Sequence, residues 1–181
     1  MLHKILTNIT LQLNDYLRLR FGLSDDIVCL ASTRDSDSMI PVNRVGISLI
    51  NIERETVAGI SFGQQQVGQQ KVGRSAPDWQ INVYLLFSVI FDQKQYADSL
   101  QILSGILSFV QKNRQLALPR HSTTYSIEPV NLSFSELSNL WSINGGTYRP
   151  SIVCKLRSIS IDEQEIESLS VSIKGGEVDL S

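Results

Sequence analysis

The chain has 181 residues, 42% of them apolar and 19% charged, with a formal net charge of −2. That length buries one sizeable core, and the composition is ordinary for a soluble globular domain. The near-neutral charge gives no general attraction for nucleic acid, no run approaches the ~18 apolar residues that cross a bilayer, and Cys29 and Cys154 lack metal-ligand or C-x-x-C spacing.

In chain order, Leu2, Ile5, Leu6, Ile9, Leu13, Tyr16 and Leu17 follow the 3.6-residue period, so the first twenty residues are expected to form an amphipathic helix. Thr7, Asn8, Thr10, Gln12 and Asn14 interrupt any apolar leader, which sets the expectation of a chain made and used in the cytoplasm. Phe21-Gly22 ends the helix. A short strand follows at Ile27 to Ala31, then a polar loop to Ser38. Val45, Ile47 and Leu49 alternate with Gly46 and Ser48, the mark of a half-buried strand running to about Glu55.

Residues 59–79 have little hydrophobic periodicity and hold five glutamines within seven positions. A compact domain rarely carries so long a structureless stretch without a use. It is read as an arm ordered by a partner, with a surface loop as the plainer reading. Ile81 to Phe87 is apolar on both faces apart from Asn82, which predicts a central strand covered on both sides. Tyr96, Leu100, Leu103, Ile106, Leu107 and Val110 give a helical stripe closed by Pro119. Tyr125, Ile127, Val130 and Leu132 predict another strand, with Pro129 calling for an edge or a bulge.

Ser133 and Glu136 have capping-box spacing ahead of Leu137, Leu140 and Trp141, which share one helical face. Gly145-Gly146 stops that helix, and Pro150 directs the chain into a strand through Ile152, Cys154 and Leu156. The apolar phase then slips to Ile159 and Ile161, as a β-bulge near Ser158 would allow. From Asp162 to Ser181 six carboxylates face Lys174 alone, and Leu169, Val171 and Ile173 alternate. The expected architecture is a single α+β domain over residues 1–161, with about three helices on a mainly antiparallel or mixed sheet, an arm at 59–79 and an acidic tail at 162–181.

Chemistry is sparse. Gly59-Ile60-Ser61-Phe62-Gly63 matches G-x-S-x-G, with Asp92 and His121 following in hydrolase order. The polar Glu53-Arg54-Glu55-Thr56 precedes it, where a nucleophile elbow needs an apolar strand. Gly63 and Gly68 have P-loop spacing, yet Gln69-Gln70 replace the Lys-Ser/Thr that would hold phosphate. Asp35-Ser36-Asp37-Ser38 lacks the glycine of a calcium loop. His3 and His121 flank no other likely ligands. No cofactor or metal is therefore expected. Both cysteines lie in apolar strand-like runs, as small core residues of a reducing compartment do; whether they are neighbours stays open.

The run from Glu136 to Ile161 carries a resemblance. Asn139-Leu140-Trp141-Ser142, Gly145-Gly146, Tyr148-x-Pro150-Ser151 and Lys155-x-Arg157 resemble the N-terminal domain of the terminator or cap proteins of phage-tail-like contractile injection systems of the antifeeding-prophage type. Ile81 to Phe87, and then Tyr96, Leu100, Leu103, Ile106 and Gln111, fit the same pattern, so the resemblance covers Pro77 to Ile161. Cys154 departs from it, standing where that family usually has a tyrosine.

The resemblance implies a non-enzymatic protein. It would form a ring of its own copies, expected to be a hexamer, on the distal end of the sheath and inner tube, stopping their polymerisation. Sheath and tube proteins are the implied partners, with room for a second cap protein and no membrane insertion. The competing readings are a cap adaptor that contacts mainly the tube, a small serine hydrolase centred on Ser61, and a plain binding module. The interface candidates are Gln64, Gln65, Gln66, Lys71 and Arg74 in the arm, the basic patch of Lys112, Arg114 and Arg120, Arg149 on its proline corner, and Glu163, Glu165 and Glu167 in the tail. The acidic tail is expected to meet the basic patch of a neighbour.

Overall fold

The structure, a computed structural model, describes residues 2–31, 43–55, 79–118 and 124–161. Helix α1 (Leu2–Phe21) forms because Ile5, Ile9, Leu13 and Leu17 recur every four residues, and all four are fully buried. Gly22 takes a φ of 64° there, and the Leu23 N–H closes back on the Arg18 carbonyl at 3.2 Å. Strands β1 (Val28–Leu30), β2 (Arg44–Arg54) and β3 (Trp79–Ile90) follow. After them come α2 (Tyr96–Lys112), β4 (Gln115–Ala117), β5 (Thr124–Pro129), α3 (Phe134–Ile143) and β6 (Ser151–Ile161).

The strands form one mixed sheet in the order β1-β2-β3-β6-β5-β4, with β1 parallel to β2 and every other pair antiparallel. Alternation along β3 explains why its sequence is apolar throughout. Ile81, Val83, Leu85, Phe87 and Val89 belong to the main core, into which α1 and α2 pack. Leu86, on the opposite face, packs with Val153 and Trp141, which α3 brings down onto the sheet. The expected covered central strand, α+β class and three helices are therefore all present.

Two expectations about local chemistry are met at α3. Ser133 and Glu136 form the reciprocal capping box. Gly145 and Gly146 adopt φ values of 91° and 77°, and the Gly146 N–H donates to the Trp141 carbonyl at 2.8 Å. The bulge in β6 is also where the sequence phase requires it: Ile81 and Val83 of β3 pair with Ile159 and Leu156, so β6 carries one extra residue around Arg157-Ser158. Pro129 lies past the reach of β4, which pairs only with residues 124–126, so its missing N–H costs no ladder bond.

The stripe of α2 was expected to run to Pro119, but the helix ends at Lys112. Asn113 stops it: both its backbone N–H and its side-chain amide donate to the Phe109 carbonyl at 2.9 Å. The released chain then forms β4, anchored by buried Leu116 alone, which is too brief to read as a strand from its pattern. The expected strand at Leu169 to Ile173, the arm and the polar loop after Ala31 lie outside the described residues.

One helix secures both margins of the sheet. On β1, the outward-turned Val28 N–H donates to Asn14 Oδ1 at 2.8 Å, and the Val28 carbonyl accepts from Asn14 Nδ2 at 3.0 Å. On β4, the outward-turned Ala117 carbonyl accepts from Asn8 Nδ2 at 3.1 Å, an amide that also donates to Tyr125 Oη at 3.1 Å. Asn8 and Asn14 are six residues apart, about 9 Å along a helix axis. The margins of a flat six-stranded sheet would stand about 24 Å apart. The sheet therefore curls around α1. The helices cross closely where Gly105 of α2 meets Leu17 and Phe21, and a Cβ there would stand 2.8 Å from both side chains.

Both cysteines are free thiols. Cys29 pairs with Gly46 on β2, which in turn pairs with Ser88, so it lies on the α3 side, whereas Cys154 sits in the helix-covered core. Two strands separate theirs, about 14 Å, too far for a disulfide. Burial pushes the Cys154 thiol up to about 12, and burial also raises that of Cys29, offset in part by Arg44.

Two outcomes follow from this packing. Asn14→Ala should cost about 2–4 kcal/mol, more than Asn8→Ala, because it strands buried backbone groups of β1; denaturant melts read the cost, and amide exchange at Ile27 and Val28 should accelerate. Native protein at pH 8 should show Cys29 reacting with a disulfide reagent more slowly than a fully exposed thiol, while Cys154 reacts only on unfolding; equal rates would contradict the assigned burial.

Candidate assembly surfaces

The described residues hold no cluster of three or more His, Cys, Asp or Glu side chains able to bind a metal. No described helix is long and apolar enough to cross a membrane. Ser61 of the G-x-S-x-G match lies outside the described residues, as do Gln64, Gln65, Gln66, Lys71, Arg74, Arg120, Glu163, Glu165 and Glu167. Lys112 is the exposed last residue of α2, and exposed Arg114 follows it two residues later, before β4. Neither has an ion-pair partner among the described residues. Arg149, on the corner before β6, is only half-exposed, a weaker claim to an open interface than its sequence position suggested.

The register brings together what the sequence keeps far apart. The arm joins the sheet between β2 and β3, where Arg54 pairs with Ile81 and the Glu55 N–H donates to the Gln80 carbonyl at 2.8 Å. The tail begins after β6, where Ile161 pairs with Trp79. The two stretches therefore leave from three adjacent strands at the same end of the sheet. Chain positions 55, 79 and 161 lie within about 10 Å of one another there, two strand spacings.

On the α3 side of the sheet, the strip beyond that helix is polar. Tyr84 Oη donates to Glu53 Oε2 at 2.7 Å, and Lys155 Nζ stands 5.4 Å from the centroid of the Tyr84 ring. Arg157 Nε lies 2.7 Å from Glu128 Oε1. Asn82 Nδ2 donates to Glu55 Oε2 at 2.8 Å. Apart from the bond of buried Asn82, these are surface contacts worth about 1 kcal/mol or less each. Their effect is geometric: β2, β5 and β6 present charges at fixed spacing, with Tyr84 and Asn82 of β3 between them. In the sequence, Lys155 and Arg157 stand out as Lys155-x-Arg157 and Asn82 as the polar break in β3, but only the strand register joins them to Glu53, Tyr84 and Glu128.

Trp141 lies in the core. It is 7% exposed, packed on Leu86 and Val153, and Tyr148 meets it edge-on with ring centroids 5.8 Å apart. Tyr148 itself is largely exposed, as are Phe134 and Ile143 at the two ends of α3. Ser133 holds the Glu136 carboxyl below its usual range through side-chain and backbone hydrogen bonds. This serves the helix cap.

Comparison with solved structures returns the same fold. The sheath/tube terminator of PVC, an extracellular contractile injection system, in its extended state, superposes with a TM-score of 0.59 at 17% identity, over 98% of this chain and 73% of that one. The tube-terminating cap of the anti-feeding prophage superposes with a TM-score of 0.53 at 18% identity, over 87% of this chain; the match spans 55% of that cap. No curated protein matches the sequence. The profile of the Pvc16 N-terminal domain matches residues 4–172, nearly the whole chain, and the chain belongs to that family.

Proposed function

We propose that the protein is a structural cap of a contractile injection system: copies of it close a ring on the distal end of sheath and inner tube and stop their growth. The observation that carries this reading is the family profile spanning residues 4–172 on a body with the fold of two solved terminating proteins. The reading is non-enzymatic, with assembly in the cytoplasm and binding surfaces in place of a pocket for substrate.

The physical layout supports it. A cap must grip the last ring of a polymer and offer nothing for the next ring to bind. Extended segments suit the grip, because backbone pairing gives affinity without a preformed cavity. Residues 56–78 and 162–181 both leave from one end of the curled sheet, which lets one subunit engage its neighbours from a single side. The outward backbone groups of Val28 and Ala117 are meanwhile closed by Asn14 and Asn8, so these margins are poor templates for another strand. A closed ring further needs two different patches that meet head to tail, a role for which the basic end of α2 and the acidic tail are suited.

Particles from a strain lacking the chain should show tubes of uncontrolled length or loosened sheath by electron microscopy, with normal length restored on complementation. Tails of normal length in that strain would overturn the proposal.

A further inference from the structure

Between the C-terminal half of α2 and the outer side of β5 lies a groove of about 650 Å³. It exists because β4 pairs only with residues 124–126, while β5 continues to Pro129 with no described strand on the side away from β6. Buried Val110 and Ile127 form its floor, and exposed Leu107 and Pro129 flank it. Gln111 and Arg114 stand at its rim, with Lys112 beside them. Glu128 also lines it, but that carboxylate is engaged by Arg157 at 2.7 Å. The site is thus a trough with an apolar floor and polar sides that include Gln115 and Ser126, and at one end stand two cations, Lys112 and Arg114, with no ion-pair partner among the described residues. Pro129 offers no N–H, so an occupant is held by side chains more than by a continued ladder.

We infer that this groove receives residues 162–181 of a neighbouring copy of the chain; the inference rests on the ring reading above. That segment has the complementary chemistry. Its first six residues carry Asp162, Glu163, Glu165 and Glu167, and Leu169, Val171 and Ile173 then alternate with serines. An extended stretch of that pattern turns three aliphatic side chains to one side, matching the trough, while the carboxylates before it meet Lys112 and Arg114. Reach is sufficient: eight residues separate Ile161 from Leu169, about 26 Å when extended. The two patches differ and cannot pair with themselves, so the contact is heterologous and propagates around a ring.

The test uses the full chain with Cys29→Ser. One preparation carries Gln111→Cys and a second Val171→Cys; the two are mixed, assembled and oxidised. The expected result is a mixed disulfide dimer, and a ladder of linked subunits when one chain carries both substitutions. Linkage confined within single chains, or no linkage in rings of normal mass, overturns the groove assignment and leaves the capping proposal standing. A wild-type chain that forms no rings overturns both. Independently of new thiols, Lys112→Glu with Arg114→Glu should lower ring yield several-fold at low ionic strength and much less at high. Adding Glu163→Lys, Glu165→Lys and Glu167→Lys should restore it; failure of that restoration counts against the pairing.

Discussion

The fold depends on α1 being held inside the curl of the sheet. Its aliphatic stripe of Ile5, Ile9, Leu13 and Leu17 supplies the burial, and its two buried asparagines supply the specificity. Burying an amide costs free energy unless each polar atom is satisfied. Asn14 meets that condition with three hydrogen bonds to Ile27 and Val28, and the Nδ2 of Asn8 donates to the Ala117 carbonyl and to Tyr125 Oη. Because the acceptors lie on opposite margins, satisfying both fixes the curvature of the strands between them. One element thereby sets the core, the shape of the sheet and the state of its edges.

The consequences reach the outer face. A curled sheet with α1 and α2 on its inner side leaves the other side for α3, whose Trp141 fills the place over Leu86 and Val153. Beyond α3 the strip of Glu53, Tyr84, Lys155, Arg157 and Glu128 is polar and ordered by cross-strand contacts. Its energetic weight is small, since exposed ion pairs contribute little. Its value to an assembly protein is that these charges sit on strands and keep their spacing. The groove beside α2 has a related origin, for it opens where Asn113 ends the helix early and β4 stays short.

Much of this was legible in the residues. The stripe of α1, the two-faced apolarity of β3, the capping box at Ser133, the glycine stop and the slip in β6 each follow from a local rule, and each is present. What stayed hidden was non-local. Asn8 and Asn14 read as breaks in an apolar leader, because nothing in a linear pattern shows an amide reaching a strand, whether 14 residues on for Asn14 or 109 for Asn8. β4 has one apolar residue and no alternation to detect. The common origin of arm and tail needs the register of β2, β3 and β6. Lys112, Arg114 and Arg149 were placed by type and position, and only the structure separates the two exposed cations from the half-exposed one.

A solid body from which two stretches of chain leave at one end, and whose outward groups at Val28 and Ala117 are capped, is suited to finishing a polymer. The most direct measurement is to image contractile particles that incorporate a tagged copy of the chain, with the tag detected by a gold label. The account predicts label at one end of each intact particle, opposite the baseplate. Label along the sheath, at the baseplate, or on free monomers alone would contradict it.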